Sequence, residues 1–294
     1  MTIYKNPTIS IVIPAKGECV FLSETLVSIN ESNLQPLEIV IIDDGISKNT
    51  IDLIYNFKDW EIVRLFKNPN KGLVSALNAG IKYSKGDFIA RLDSDDLILS
   101  HRLELQRDYL KTNKDVAVVG GNCIYINEMS VEIGRSNYPV GELNYLDDFY
   151  YRCLIAHPTV MFRRDDVISL GGYRQIFTWN NVDIAEDFDL WLRFARTGKV
   201  VNLSDELIKY RQHSNQLSIL NTYGQIIGSK YISAVNLGTK TNYPKIEING
   251  LKIKKSGALI FTIFKNLGLL SLIDTIIKII YAYVRTLKKI FKFF

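Results

Sequence analysis

The 294 residues are 47% apolar and 23% charged, a globular balance that excludes a disordered or fibrous chain and leaves room for one large domain or a medium one with an appendage. The net charge of +5 is uneven: from Lys245 to Phe294 ten Lys and Arg face two acids, giving +8 and leaving −3 on residues 1–244. That distribution argues against a nucleic-acid-binding body and for a tail that meets something anionic.

Near the N-terminus, Ile9–Ile13 is too short for the apolar core of a signal peptide and runs into Pro14, so no leader is expected. That run, Ile9–Ile13, reads instead as a buried strand, and further short β-rich runs follow at Leu37–Ile42, Ile62–Phe66, Asp87–Leu92 and Val116–Val119. Between the strands, Leu22–Asn30, Ile51–Phe57, Leu73–Tyr83 and Arg102–Leu110 have the three-to-four spacing of helices. Such alternation predicts an α/β fold with a largely parallel twisted sheet sandwiched by helices, binding ligands at the carboxyl ends of its strands. Beyond residue 120 the alternation fails. Cys123–Ile126 and Val131–Gly134 suit a hairpin, and Glu186–Ala195 a helix packing Phe188, Leu192 and Ala195 on one side. Cys19, Cys123 and Cys153 include no C-x-x-C pair, which predicts neither a disulfide framework nor a zinc cluster and suggests a reducing compartment.

The acids fall at strand ends. Asp93-Ser94-Asp95 suits a divalent cation, Mg²⁺ or Mn²⁺, whose charge would offset the repulsion among Asp93, Asp95 and Asp96. The bland alternative is that Asp95 or Asp96 caps the helix that follows; both hold if Asp96 caps while Asp93 and Asp95 bind. Asp43-Asp44-Gly45 reads either as a turn capping the helix near Thr50 or as acceptors for a ligand's N–H and hydroxyl groups. Glu186-Asp187 reads as favourable charge at a helix N-terminus or as a general base. His213, between Arg211 and Ser214, is either a structural histidine or part of a polar anion site.

In the tail, Asp274, Lys278, Arg285, Lys288, Lys289 and Lys292 fall within a roughly 100° sector of one helix, the rest of Leu269–Phe294 being mostly apolar. Lys265, Asp274 and Lys278 interrupt any run long enough to span a bilayer. The pattern predicts a C-terminal amphipathic helical tail lying on an anionic membrane surface, against the alternative of a helix packed on the protein's own core.

Taken in order, "SIVIPAKGE", "EIVIIDDGISKNT", "NKGLVSALNAGIKYSKGDFIARLDSDD", "HPTVMFRR", "GGYR", "AEDFDLWLR" and "YRQHSNQLS" resemble the family 2 glycosyltransferases, inverting, nucleotide-sugar-dependent enzymes of GT-A fold, of the bacterial surface-polysaccharide type. The likeness runs from about Ile9 to Ser218, roughly three quarters of the chain. It implies that Pro14, Ala15 and Asp43 contact the donor nucleoside, with Asp44 and Ser94 in the same donor set. Asp93 and Asp95 correspond to the D-x-D pair that holds ribose and metal, and His213 to a position that in some members reaches the metal or the diphosphate. Asp187 corresponds to the catalytic base, with Glu186 beside it at the acceptor. The chain departs from the family where Pro14-Ala15-Lys16-Gly17 stands for P-T-Y-N and Ile46 for the serine of D-D-G-S, with Ser47 a substitute hydroxyl; both changes bear on which nucleotide sugar binds.

The resemblance divides the chain into a nucleotide-sugar-binding half (1–120), an acceptor-binding and catalytic half (121–218) and a helical extension (219–294). The implied activity is hexosyl transfer from a nucleoside-diphosphate sugar to a glycan or lipid-linked oligosaccharide, with Mn²⁺ or Mg²⁺, in the cytoplasm on the inner face of the plasma membrane. A dinucleotide site would need G-x-G-x-x-G after the first strand, and "PAKGECV" lacks it. A nucleotidyltransferase would usually carry an N-terminal Gly-rich phosphate loop, and a receiver domain would leave the later motifs unexplained. A non-catalytic sugar-nucleotide-binding relative is disfavoured by the intact Asp93, Asp95 and Asp187.

Overall fold

The computed structural model describes residues 6–57, 61–143, 153–213, 222–237 and 246–248. The tail segment Leu269–Phe294 lies outside the described residues. The first third winds as expected: β1 (Ile9–Gly17), α1 (Leu22–Asn30), β2 (Glu38–Ile46), α2 (Lys48–Asn56), β3 (Val63–Lys67), α3 (Leu73–Tyr83) and β4 (Phe88–Arg91). These strands pair in parallel in the order β3-β2-β1-β4. β1 outruns the predicted Ile9–Ile13 and continues through Pro14. Its pairing to β4 ends at Val12↔Arg91, so the proline, lacking an N–H, lies where only β2 still flanks the strand.

The remaining elements are β5 (Leu97–Ile98), α4 (Arg102–Thr112), β6 (Val116–Ile126), β7 (Glu132–Arg135), β8 (Gly141–Glu142), a 3₁₀ turn (His157–Thr159), β9 (Met161–Arg163), α5 (Arg164–Ser169), β10 (Phe177–Trp179), β11 (Val182–Asp183), α6 (Glu186–Phe194), β12 (Lys199–Arg211), α7 (Thr222–Leu237) and β13 (Ile246–Ile248). Strands β5 to β9 and β12 extend the first four into one mixed sheet, while β11, β10 and β13 form a separate three-stranded sheet in that order. β9 runs antiparallel between β4 and β6, and β12 lies parallel to β6. The predicted hairpin forms between β6 and β7. Val116–Val119 and Cys123–Ile126, however, are parts of one strand. Gly120 and Gly121 are there for clearance: a Cβ on the first would come within 2.6 Å of Ile155, and on the second within 2.8 Å of the Asp205 carbonyl.

Strands buried on both faces explain the continuous apolar runs. Val12, Val40 and Ile42 pack with α3 and α6 on one side, while Ile11, Ile13, Ile39 and Ile41 pack with α1 and α4 on the other. The buried stripe of α6 is Phe188, Leu190, Trp191 and Phe194, while Leu192 and Ala195 lie at its margin. That helix is anchored by Asp189, whose fully buried carboxylate accepts from Arg174 Nε (3.0 Å) and Arg193 Nε (2.9 Å). Arg193 also donates to the carbonyls of Leu170 and Gly172, which ties the "GGYR" turn to the helix. Among the described residues no helix is long and apolar enough to cross a membrane.

Asp189→Ala would strand the buried Arg193 guanidinium without its counter-charge. It should cost about 3–5 kcal/mol in denaturant unfolding; a loss below about 1 kcal/mol would mean that the pair does not hold α6.

Candidate active site

The carboxyl ends of β1, β2 and β4 form one edge, and the first cluster of acids collects there. Ala15 stands in register with Asp43 across the β1–β2 ladder. Asp43 Oδ1 accepts from the backbone N–H groups of Gly45 (2.7 Å) and Ile46 (2.8 Å), closing an Asx-type turn that the positive φ of Gly45 permits. Asp43 therefore does not cap α2. Ser47 does, accepting from the Thr50 N–H at 3.1 Å, so this hydroxyl serves the helix. Asp44 is committed elsewhere too: its Oδ1 accepts from Asn68 Nδ2 (2.7 Å) and the Gly72 N–H (3.0 Å), fixing the loop into α3. Lys16, in place of an aromatic residue, is largely exposed, 3.9 Å from Asp44.

Past β4 the backbone turns through the acids. Arg91 grips Asp93 with both terminal nitrogens, Nη1 to Oδ2 at 2.8 Å and Nη2 to Oδ1. The Ser94 carbonyl accepts from Thr25 Oγ1 (3.1 Å). Asp95 Oδ2 lies 2.8 Å from His213 Nε2, which joins two positions 118 residues apart. Asp96 is no helix cap. It precedes the two-residue strand β5, α4 starts only at Arg102 with no side-chain cap, and Asp96 Oδ1 instead accepts from the Arg211 N–H at 2.9 Å. Arg211, fully buried, also reaches the Asp95 carbonyl (2.9 Å), Ser130 Oγ (2.9 Å) and Glu24 (2.8 Å), and its guanidinium lies over the Phe21 ring. This arginine steers the end of β12 so that His213 meets Asp95.

One oxygen each from Asp93, Asp95 and Asp96 lie within 4.8 Å of one another. Burial, then the neighbouring Asp93 and Asp95 charges, push the Asp96 carboxyl well above its usual range. Asp96 Oδ2 is buried without a partner among the described residues. An orphaned carboxylate oxygen beside two further carboxylates and an imidazole is a donor set that fits Mg²⁺ or Mn²⁺.

A second pair of acids opens α6. Asp187 Oδ1 accepts from the Phe188 N–H at 2.7 Å, and the Cys153 thiol approaches its Oδ2 at 3.9 Å. Glu186 Oε1 is 3.8 Å from His157 Nδ1, whose other ring nitrogen is 2.8 Å from the Tyr173 hydroxyl. Burial, then the Asp187 charge, push Glu186 up to about 8; burial also raises Asp187, against the pull of the Phe188 N–H and Arg91. His157 is held well below its usual range by burial and the Arg91 charge, and is neutral. The two cysteines remote from this pair, Cys19 and Cys123, are buried, and all three are free thiols.

The match to known families decides the identity: the family model described as "Glycosyl transferase family 2" covers residues 10–171, more than half of the chain. The chain belongs to this glycosyltransferase family. Among its curated relatives is the amylovoran biosynthesis glycosyltransferase AmsE of Erwinia amylovora, 31% identical over 206 residues, 67% of this chain and 73% of the relative. Of solved structures, S. aureus TarS 1-349 in complex with UDP-GlcNAc superposes with a TM-score of 0.61 at 15% identity, over 80% of this chain and 68% of that TarS fragment. The mannosyltransferase PcManGT from Pyrobaculum calidifontis, in complex with GDP-Man and Mn²⁺, does so at 0.59 and 14%, over 82% of this chain and 67% of its own. At these identities the likeness is one of fold, and the fold is GT-A.

Arg91, Arg102 and Asp189 escaped the sequence reading, and Arg211, read there only as a neighbour of His213, proves to be a buried structural residue. The signal was present for Arg91, an arginine inside the otherwise apolar run "FIARL".

The carboxyl of Glu186 makes a prediction about stability. In the unfolded chain it ionises near about 4.3, in the fold near about 8. Between those values the unfolded chain loses the proton first, so this contribution is fully present at low pH and declines as pH rises toward 8. Urea midpoints should fall across that interval, and Glu186→Gln should remove much of the fall; parallel curves for the two proteins would assign the titration to another group.

Proposed function

We propose that this chain transfers a hexosyl unit from a nucleoside-diphosphate sugar to a hydroxyl of a lipid-linked glycan, with inversion and with Mn²⁺ or Mg²⁺, in bacterial surface-polysaccharide assembly. The observation that carries this reading is spatial. Asp95 paired to His213 belongs to a cluster with Asp93 and Asp96 at the carboxyl edge of the sheet, in a member of a glycosyltransferase family. The complexes of TarS with UDP-GlcNAc and of PcManGT with GDP-Man and Mn²⁺ support the donor class and the cation, and the name of AmsE supports the pathway class.

In this reading residues 1–120 hold the donor, with Pro14, Ala15 and Asp43 at the nucleoside, Asp44 bracing the loop beside it, and Asp93 with Ser94 at the ribose. Asp93, Asp95 and His213 hold the cation, which when bound supplies positive charge to the departing diphosphate. Residues 121–218 present the acceptor. Asp187, whose charge the Phe188 N–H and Arg91 favour, takes the proton of the acceptor hydroxyl, while Glu186, pushed up to about 8, keeps its own proton at neutral pH and orients the acceptor. The hydroxyl oxygen bonds to the anomeric carbon from the face opposite the diphosphate as the bond to the diphosphate breaks, so one displacement inverts the centre. The +8 segment Lys245–Phe294, part of the 219–294 extension, supports work at the anionic inner face of the plasma membrane, each basic residue near the surface contributing about 1 kcal/mol.

A panel of nucleotide sugars with Mn²⁺ or Mg²⁺, read as nucleoside-diphosphate release, tests the proposal. One donor should be turned over, EDTA and Asp95→Ala should each remove most of the activity, and Asp187→Asn should lower transfer by about 10²–10⁴-fold with donor binding kept. Full turnover in EDTA would end the metal assignment. Parental transfer by Asp187→Asn with an inactive Glu186→Gln would move the base to Glu186.

A further inference from the structure

A cavity of about 450 Å³ lies beside α3, a size within the range of small-ligand sites. One wall is α3 with the loop leading into it, and the other contributes Gln175 and Asp183 from the segment around the β10–β11 hairpin. The lining runs from Pro69 to Tyr83, so the groove is about as long as the helix, about 16 Å. Its walls are fixed to each other. The Asn78 side chain bonds both backbone groups of Tyr173, donating to the carbonyl at 2.9 Å and accepting from the N–H at 2.8 Å. Asp183 Oδ1 accepts from the Gln175 amide at 2.6 Å, and its Oδ2 from the Val74 N–H at 3.5 Å. The groove is therefore preformed, which spares a ligand the cost of ordering it. Buried Val74 and Ala79 give the lining apolar surface, and half-buried Tyr83 stacks on Phe66 with ring centroids 4.4 Å apart. A held aromatic ring beside apolar surface, with amide and hydroxyl groups around it, suits the mixed apolar and polar faces of sugar rings.

Charge narrows the class. Lys71 and Lys82 are exposed in the lining and make no ion pair among the described residues, whereas the one carboxylate there, Asp183, is already hydrogen-bonded. The basic segment Lys245–Phe294 would be repelled by these ammonium groups, so the chain's own tail is the wrong occupant. Asp183 also stands three residues before Glu186, which places one end of the groove next to the α6 acids in the chain. We propose that this groove binds an acidic oligosaccharide, the already assembled part of the acceptor, with sugar rings on Tyr83 and the α3 face and carboxylate groups paired to Lys71 and Lys82. The inference rests on Glu186 and Asp187 as the acceptor-side acids, and it deepens that reading by naming the chemical class of the acceptor.

The test is calorimetric titration of the full chain with tetragalacturonate and with maltotetraose, a neutral sugar of the same length. The methyl signals of Val74 and Ala79 are followed by NMR, with thermal midpoints as the check on folding. Tetragalacturonate should bind, move both methyl signals and weaken as salt is raised, while maltotetraose binds about tenfold more weakly for want of two charge pairs. Lys71→Gln and Lys82→Gln should each weaken tetragalacturonate by about threefold, the worth of one part-exposed charge pair, and the double variant by about tenfold. Lys111→Gln, on α4 at the other face of the sheet, should leave the affinity unchanged. No binding of tetragalacturonate, or equal affinity for the two sugars, overturns the proposal. So does parental affinity in the double variant, which would assign the anion to the basic tail, and so does binding that leaves both methyl signals in place. Both groove lysines are exposed, so their variants keep the fold. No reading needs a donor or turnover, so failure of the inference is separable from failure of the base assignment, which the transfer rate of Asp187→Asn decides.

Discussion

Carboxylates gathered at the open edge of a sheet must be held against their own repulsion, and in this chain the holding charge is rooted in the sheet and in the helix behind it. Arg91 at the end of β4 takes Asp93, and at the end of β12 the guanidinium of Arg211 takes the Asp95 carbonyl while its backbone N–H takes Asp96. Fully buried Arg102 bonds Gln106 and the carbonyls of Arg91 and Val160, and its charge bears on Asp96. Burial pulls Arg102 down to about 9, which still leaves it cationic at neutral pH. An uncompensated buried ion costs several kcal/mol, so the arginines are a condition of the acids being there at all. The compensation is incomplete: Asp96 keeps an orphaned oxygen and an elevated carboxyl. A dication is what the remaining imbalance accommodates.

The same arginines explain how distant motifs become one site. "DSDD" and "YRQH" are joined because the Arg211 N–H, its guanidinium and His213 all land on residues 95 and 96. "GGYR" and "AEDFDLWLR" are joined through Asp189, Arg174 and Arg193, and "HPTV" joins them through His157 against Tyr173 and Glu186. Asp93 and Asp95 are part-exposed, whereas Arg91, Arg102 and Arg211 are buried.

The parallel half of the fold was legible because its strands are continuous apolar runs punctuated by helical spacing, two signals that need no tertiary knowledge. The acids were legible for the same reason, being conspicuous at strand ends. What escaped was what depends on three-dimensional partners. Asp96 looks like a cap in sequence because a helix follows soon after, but β5 intervenes and β12 claims its side chain. Gly120-Gly121 looks like a strand break, yet the strand continues because the missing Cβ atoms make room for Ile155 and Asp205. The α6 stripe was misread because Leu190 and Trp191, adjacent in sequence, are both buried in a helix packed on more than one side. Arg91 and Arg211 lie inside the matched strings, but nothing local marks them out, because their importance lies in contacts that for Arg211 reach 187 residues away in sequence.

In the proposed function, the acid edge of this glycosyltransferase is a cation site completed by the imidazole of His213, just past the end of β12. Pulsed electron paramagnetic resonance of Mn²⁺ bound to the full chain addresses it directly, since a coordinated imidazole nitrogen gives a hyperfine signal that carboxylates and water do not. The account predicts a nitrogen coupling that disappears in His213→Ala and Mn²⁺ binding that is lost in Asp95→Ala. Bound Mn²⁺ with no nitrogen coupling, or with a coupling unchanged in His213→Ala, would contradict it.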